Sequence, residues 1–298
     1  MISPNPTGFI GLSNYRQLLG MGVLALEPVM DGAGAVKLKD GVPEYPAVRS
    51  FTRNNPDYPQ YDDMREGFSF SSGGNARTSV LARDVVFMTA LVNTFLFVII
   101  VAPLQGGLAL LINQRLRGIN VCRAVCFMPV VVSIVVVSIL WRIIYDGNNG
   151  LLNNILSGLS FGAFQPVNRL GNPNTALGAI IAMSVWQAVG FHMVARPSGR
   201  QTISPTLYEA AAIEGPRNGR CSAITWPGLK NTAVLVLLVI TMPAPGLFNQ
   251  INVMTKGGPL DSTQTIVFQA VGRGFGKQDI SGGSTISVLL FLIVLSVR

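Results

Sequence analysis

The sequence has few charged side chains, few potential metal ligands and no recognisable set of catalytic residues. Charged residues make up 12% of its 298 residues, whereas about 25% is usual for a soluble domain. His192 is the only histidine, and the three cysteines, Cys122, Cys126 and Cys221, do not have the spacing of a zinc site. Paired carboxylates and a nucleophile elbow are also missing. We therefore expect neither a soluble globular domain nor an enzyme with its own metal centre.

Hydrophobic residues, at 49% of the chain, are gathered into long blocks. The five blocks span residues 85–114, 124–141, 175–195, 232–253 and 284–298. Lipid cannot satisfy open backbone N–H and C=O groups, and the blocks are too long for strands of a membrane barrel, so each block is predicted to be helical. The predicted fold class is all-α, a polytopic membrane helical bundle.

The placement of basic residues predicts the orientation of these helices. The formal net charge is +8, although the first 84 residues hold nearly equal numbers of basic and acidic residues. The loops 115–123 and 196–231, together with Arg298, collect nine basic residues, against five in the alternate loops. The positive-inside rule places these two loops in the cytoplasm and residues 1–83 outside. A basic excess in short loops between apolar blocks favours this topology and argues against nucleic-acid binding.

The chain is predicted to have an extracytoplasmic segment, residues 1–83, and a transmembrane core, residues 84–298. Export of so long a polar segment requires a membrane helix before it, and the last apolar block stops at the chain end. We therefore expect a fragment with five of six core helices, the first missing and the last cut short. Within the first segment, residues 21–83 are an insert, and the prolines and aromatic residues of 45–61 predict that it is ordered.

One stretch of the cytoplasmic loop 196–231 has the pattern of a short docking helix. Good helix formers fill 207–214, and Gly215 can end the helix because glycine tolerates positive φ. Ala210 and Ala211 present small side chains that allow a partner to approach closely. The stretch therefore predicts a cytosolic helix that docks into a groove of another protein.

This stretch resembles the signature loop of binding-protein-dependent ABC importer permeases. The pattern is Glu209-Ala210-Ala211, then Gly215, then Ile224 and Pro227. Other stretches resemble the sugar-type subgroup, which includes the maltose and glycerol-phosphate transporters, and they occur in the expected order: Gly11-Leu12-Ser13-Asn14-Tyr15, Asn93-Thr94, Arg115-Leu116-Arg117-Gly118, Met128-Pro129, Trp141-Arg142, Gly150-Leu151-Leu152-Asn153, Gly257-Gly258-Pro259 and Ser262-Thr263-Gln264-Thr265. The resemblance covers nearly the whole chain except about 21–83.

The resemblance implies a type I ABC importer permease without an ATPase site of its own. A second permease subunit would complete the pore, a cytosolic ATPase dimer would bind ATP and magnesium, and an extracytoplasmic solute-binding protein would deliver a sugar-like solute. No cofactor is expected in this chain, which would cross the bacterial inner membrane several times. The residues expected to couple the ATPase to the pore are Glu209, Ala210, Ala211, Gly215, Ile224 and Pro227.

The resemblance also indicates where the solute passes and what the insert does. Substrate residues of the family lie on the third and fourth of the helices counted here, and aromatic rings and amides suit sugar rings and hydroxyls. The residues expected along this path are Trp186, Gln187, Phe191, Asn249 and Gln250. The insert 21–83 occupies the position at which maltose-type members carry a domain that contacts the binding protein. Such a contact and a decoration without contacts both remain open.

Residues 272–277 superficially resemble a phosphate-binding loop. Gln278 stands where a Ser or Thr would hold magnesium, and Val271 replaces the first glycine of that motif. A flexible extracellular turn is predicted instead.

The alternative function is that of a secondary transporter or channel that works without ATP. Ion coupling would need ionisable residues within the membrane. Apart from His192, the apolar blocks carry essentially none, which favours the ABC permease.

Overall fold

The computed structural model describes residues 11–31, 36–39, 42–53, 55–72, 76–112, 128–161, 164–195 and 247–296. The described helices are α1 (Ser13–Leu19), α2 (Arg49–Thr52), α3 (Val85–Ile112), α4 (Ile134–Ile144), α5 (Leu151–Leu159), α6 (Pro173–Ala195), α7 (Asn249–Met254), α8 (Ile266–Val271) and α9 (Ile280–Ser296). The strands are β1 (Met21–Leu26), β2 (Leu38–Lys39), β3 (Val42–Pro43), β4 (Arg65–Ser72) and β5 (Ala76–Ala82). The chain divides into two compact units: a sheet unit, residues 1–92 and 265–292, and a helical unit, residues 93–264 and 293–298.

The sheet unit contains a three-stranded antiparallel sheet in the order β1–β5–β4. Ala82 of β5 lies opposite Met21 of β1 and Arg65 of β4. The core of this sheet consists of Leu24, Leu26, Met64 and Leu81, and the residues packed against it are Tyr45, Val48, Phe51 and Tyr61. The Tyr61 hydroxyl donates to the Val23 carbonyl at 2.9 Å. These contacts confirm the prediction that the segment 45–61 is ordered.

The predicted all-α fold class is incomplete, because the structure also contains this β-sheet. The sequence does carry a signal for one: Gly73-Gly74-Asn75 separates the runs that form β4 and β5, a pattern typical of a hairpin. The sheet lies within the insert 21–83 and outside the apolar blocks. It therefore does not contradict the prediction that those blocks are helical.

Helix α3 corresponds to the first apolar block. It begins after Asp84, whose Oδ1 accepts the N–H of Phe87 at 2.9 Å as an N-terminal cap. The helix continues through Pro103. Its first 21 residues, Val85–Gln105, have a mean hydropathy of 2.6 and are long and apolar enough to cross a membrane. It is the one helix within the described residues found to be long and apolar enough, and α4 and α9 are apolar but shorter. The count of five membrane helices therefore stays a prediction.

The remaining apolar blocks match the described helices with varying accuracy. Within the block 124–141, residues 128–131 are helical, but the helix is interrupted at Val132 and Ser133 and α4 begins only at Ile134, so the prediction of one helix over this block is wrong. Helix α6 covers the block 175–195, and α4 continues past Trp141 to Ile144. Helix α9 begins at Ile280, before the block predicted from 284, because the Asp279 carboxylate accepts the N–H of Gly282 at 2.9 Å. Most of the block 232–253 lies outside the described residues.

Residues 272–277 do not form the flexible turn predicted from their glycines. Gly272–Gly276 is a π-helical turn that follows α8, and the Lys277 N–H donates to the Gly272 carbonyl at 2.9 Å. Within the sheet unit, the Arg273 guanidinium contacts the buried Asp84 carboxylate at 2.5 Å. This ion pair joins residues far apart in the sequence, so local composition could not reveal it.

Candidate functional site

The predicted coupling residues lie outside the part of the chain that the structure describes. They are Glu209, Ala210, Ala211, Gly215, Ile224 and Pro227, all within 196–246. Their role therefore stays a prediction from the sequence.

The predicted substrate-path residues lie on two helices of the helical unit. Trp186 and Gln187 are on α6, where Trp186 is 41% exposed and Gln187 is half-buried. Phe191 also lies on α6, but its side chain is not among those described. Asn249 and Gln250 begin α7, with Asn249 exposed and Gln250 half-buried. None of the described hydrogen bonds or ring contacts joins the α6 pair to the α7 pair.

Helices α4 and α6 form the framework that positions Trp186. The Tyr145 hydroxyl, at the end of α4, donates to the Ala179 carbonyl of α6 at 3.2 Å. The Trp141 and Trp186 rings meet edge-on, with 5.4 Å between their centroids. The later residue of α4, Tyr145, contacts the earlier part of α6, whereas the earlier residue, Trp141, contacts the later part. The two helices are therefore antiparallel. Trp141 therefore supports the Trp186 ring through this contact, while Trp186 as a whole remains 41% exposed.

A polar contact that the sequence did not predict joins α3 to α6. Gln105, only 4% exposed, donates through Nε2 to the Ser184 carbonyl at 3.3 Å. A buried amide needs such a partner, because an unpaired polar group in an apolar setting is costly. A glutamine between apolar residues well inside a predicted membrane helix was the available signal.

The structure brings together two stretches that carried the family resemblance, Asn93 of α3 and the loop 255–264. The Asn93 Nδ2 donates to the carbonyls of Ser262 at 2.8 Å and Gln264 at 3.0 Å. Inside the loop, the Thr263 hydroxyl donates to the Gly258 carbonyl at 2.8 Å. These residues hold the shape of the loop.

Asn153, in another of the resembling stretches, holds the turn between α4 and α5. Its Nδ2 lies within 3.1–3.2 Å of the carbonyls of Asp146, Gly147 and Val167. Its Oδ1 accepts a hydrogen bond from Arg169 at 2.6 Å. One buried amide thus joins the residues that follow α4 to those that precede α6.

Comparison with known proteins identifies the family. No protein-family model matches the chain. It is 36% identical over 218 residues to the trehalose/maltose transport system permease protein MalF of Thermococcus litoralis, covering 72% of each protein. It is 30% identical over 260 residues to the lactose transport system permease protein LacF of Rhizobium radiobacter, covering 84% of each. It is also 30% identical over 244 residues to the sn-glycerol-3-phosphate transport system permease protein UgpA of Agrobacterium fabrum, covering 78% of this chain and 81% of that one.

The fold is similar to that of a solved transporter. A chain in the crystal structure of a bacterial alginate ABC transporter, in complex with an alginate pentasaccharide-bound periplasmic protein, matches with a TM-score of 0.63. The match has 20% sequence identity and covers 72% of this chain and 76% of that chain. The likeness shows that the chain shares the helical membrane fold of that transporter chain over the matched part. The chain belongs to the sugar-type permease family of binding-protein-dependent ABC importers.

Proposed function

We propose that the chain moves a sugar or a related solute across the bacterial inner membrane as one of two permease subunits of an ABC importer. The observation that carries the proposal is its 36% identity to the MalF permease over 72% of both proteins. A solute-binding protein delivers the solute to residues on the outer side, and a cytosolic ATPase dimer binds ATP and magnesium. The comparisons give no support to a transporter that works without ATP.

In this proposal the loop 196–231 transmits the motion of the ATPase to the pore. Glu209 and the two alanines after it form a helix that docks on the ATPase, and Gly215 ends that helix. Ile224 and Pro227 complete the loop. The support is the order and spacing of these residues in the sequence.

Trp186, which is 41% exposed, supplies an aromatic surface on which a sugar ring can stack. Its orientation is held by the edge contact with Trp141 at 5.4 Å between centroids, and a ring that is already oriented loses little freedom when a ligand stacks on it. Gln187 lies next to it, and its amide can both donate to and accept from hydroxyl groups. Phe191, Asn249 and Gln250 complete the proposed path.

A test of the coupling role compares two glutamates of the same stretch. The full chain is expressed with its genomic neighbours, and ATP-driven uptake of radiolabelled maltose is measured in proteoliposomes. Glu209→Ala should reduce uptake about tenfold or more, because coupling between distant sites commonly changes their response by about 5- to 150-fold. It should also reduce the amount of ATPase that co-purifies. Glu214→Ala, which lies outside the signature pattern, should leave both unchanged.

The same experiment can contradict the proposal. If Glu209→Ala retains both the bound ATPase and full uptake, the coupling assignment is wrong. If uptake by the unmodified chain proceeds without ATP and without an ATPase, the importer function is wrong.

A further inference from the structure

A cavity of about 420 Å³ lies in the helical unit where three connecting segments meet. The residues after α4, the turn before α6 and the turn after α7 each form one wall. The polar side chains that line it are those of Arg142, Tyr145, Asp146, Asn148, Asn168 and Thr255. This volume falls within the range of roughly 300–1,000 Å³ that is usual for small-molecule sites.

Hydrogen bonds within and between the connecting segments hold the walls of the cavity in place. Asn153 joins the Asp146 carbonyl to the Val167 carbonyl, as described above. On the opposite wall, the hydroxyls of Thr255 and Thr263 are 2.8 Å apart. A site whose walls are already ordered loses less entropy when a ligand binds.

Several donors on the cavity walls have no strong partner among the described residues. Arg142 makes one hydrogen bond, a long contact of 3.4 Å from Nη1 to the Val253 carbonyl. Asn148 uses only its backbone N–H, toward Asp146. Asn168 uses its Oδ1, which accepts the Gly171 N–H at 2.9 Å, and this leaves its Nδ2 available. These groups can therefore donate to a ligand.

One acceptor on the walls is also available. The Asp146 Oδ1 accepts the N–H groups of Asn148 and Asn149, both at 2.9 Å, while its Oδ2 has no partner among the described residues. The backbone N–H groups of Asn149 and Asn148 hold the pKa of Asp146 below its usual value, so the carboxylate is charged at neutral pH. It can accept hydrogen bonds from hydroxyl groups.

The chemistry of this lining suits a neutral molecule with many hydroxyl groups. One guanidinium and one carboxylate balance each other, so a strongly charged ligand would meet one like charge. The two amides both donate and accept, as hydroxyl groups do. We infer that the cavity is a saccharide-binding site, separate from the proposed path at Trp186. A neutral sugar occupies this cavity on its way to Trp186. The inference rests on the proposed transport function.

The position of the cavity along α4 and α6 supports this order of events. Tyr145 lines the cavity and contacts Ala179, whereas Trp141 contacts Trp186. Ala179 and Trp186 are seven residues apart on one helix, which corresponds to about 10 Å along its axis at 1.5 Å per residue. The cavity and the exposed tryptophan ring therefore lie at successive levels of the same helix pair.

Two adjacent asparagines allow a matched test. Asn148 lines the cavity and Asn149 does not, while both give only a backbone N–H to Asp146. The full chain, with the subunits that co-purify, is placed in lipid nanodiscs, and maltose binding is measured by saturation-transfer NMR. Asn148→Ala should weaken maltose binding about fivefold, the effect of one lost hydrogen bond, whereas Asn149→Ala should leave it unchanged. Asp146→Asn, which keeps the Oδ1 acceptor for the turn, should weaken it as well.

Other outcomes would overturn the inference. Equal effects of Asn148→Ala and Asn149→Ala would show a structural change rather than a lost contact. Tighter binding of sn-glycerol-3-phosphate than of maltose would contradict a site for neutral sugars. Variants that weaken binding of the solute-binding protein but not of maltose would assign the cavity to that protein. Because maltose binding needs no ATP hydrolysis, each result is distinguishable from failure of the coupling test with Glu209→Ala.

Discussion

Buried asparagine side chains hold the turns of the helical unit. Asn153 is 2% exposed and Asn93 is 8% exposed, and each donates to more than one main-chain carbonyl. A buried carbonyl left without a hydrogen-bond donor destabilises the fold by more than a typical exposed hydrogen bond stabilises it. Such residues were visible in the sequence only as members of a resembling stretch, because nothing local says which carbonyls they reach.

Replacing Asn153 tests this role at the level of a single residue. Asn153→Ala leaves the carbonyls of Asp146, Gly147 and Val167 without this donor, so the free energy of unfolding should fall by about 2–4 kcal/mol. Chemical denaturation in detergent micelles measures it. The neighbouring Asn154 is exposed, and its side chain makes one long hydrogen bond, from Nδ2 to the Asn149 carbonyl at 3.5 Å. Asn154→Ala should therefore change the free energy of unfolding by less than about 0.5 kcal/mol. Similar losses for both variants would contradict the role given to Asn153.

Among the helices and turns, the start of α5 shows how close packing selects a residue. Gly150 is the N-terminal cap of α5, and a Cβ atom there would lie 2.7 Å from the Ile144 carbonyl oxygen and closer still to that of Asp146. These are main-chain atoms, so the whole turn would have to move. Gly158, near the other end of α5, has no neighbouring atom within 4 Å of such a Cβ.

The two glycines should therefore respond in opposite ways to alanine. Gly150→Ala should lower the free energy of unfolding by about 1–3 kcal/mol, because overpacking forces the backbone to shift. Gly158→Ala should raise it by about 0.4–1 kcal/mol, because alanine restricts the unfolded chain and favours the helix. Thermal unfolding of the purified chain, followed by circular dichroism, gives both values. A stabilising Gly150→Ala would show that the turn is less tightly packed than the structure indicates.

The elements differ in how well the sequence predicted them. Helices α3 and α6 follow their apolar blocks closely, because burial or lipid contact selects apolar side chains along the whole length. The start of α9 and the π-helical turn before it were predicted wrongly. The start of α9 depends on the Asp279 side chain, and the turn includes Arg273, which pairs with Asp84. Hydropathy averages over such single contacts.

At the scale of the whole molecule, the proposed topology can be tested by labelling. In a background of Cys122→Ser, Cys126→Ser and Cys221→Ser, a single cysteine is introduced by Gln60→Cys or Asn218→Cys. Charge placement puts residues 1–83 outside and the loop 196–231 inside. A membrane-impermeant maleimide added to intact spheroplasts should therefore label Gln60→Cys and not Asn218→Cys.

Permeabilised spheroplasts provide the control, since both variants should then react. Labelling of Asn218→Cys in intact spheroplasts would reverse the assigned orientation. It would also remove the cytosolic position on which the coupling role of Glu209 depends.

Composition and motif order were enough to identify the class of protein, because a membrane selects long apolar segments and a shared mechanism leaves its residues at shared spacing. The resemblance around Glu209–Pro227 led to the family that the MalF relative then showed. The sheet order β1–β5–β4, the Asp84–Arg273 pair and the cavity beside Tyr145 needed the folded chain. Each of them depends on residues that are distant in sequence, and only tertiary packing determines which of those residues meet.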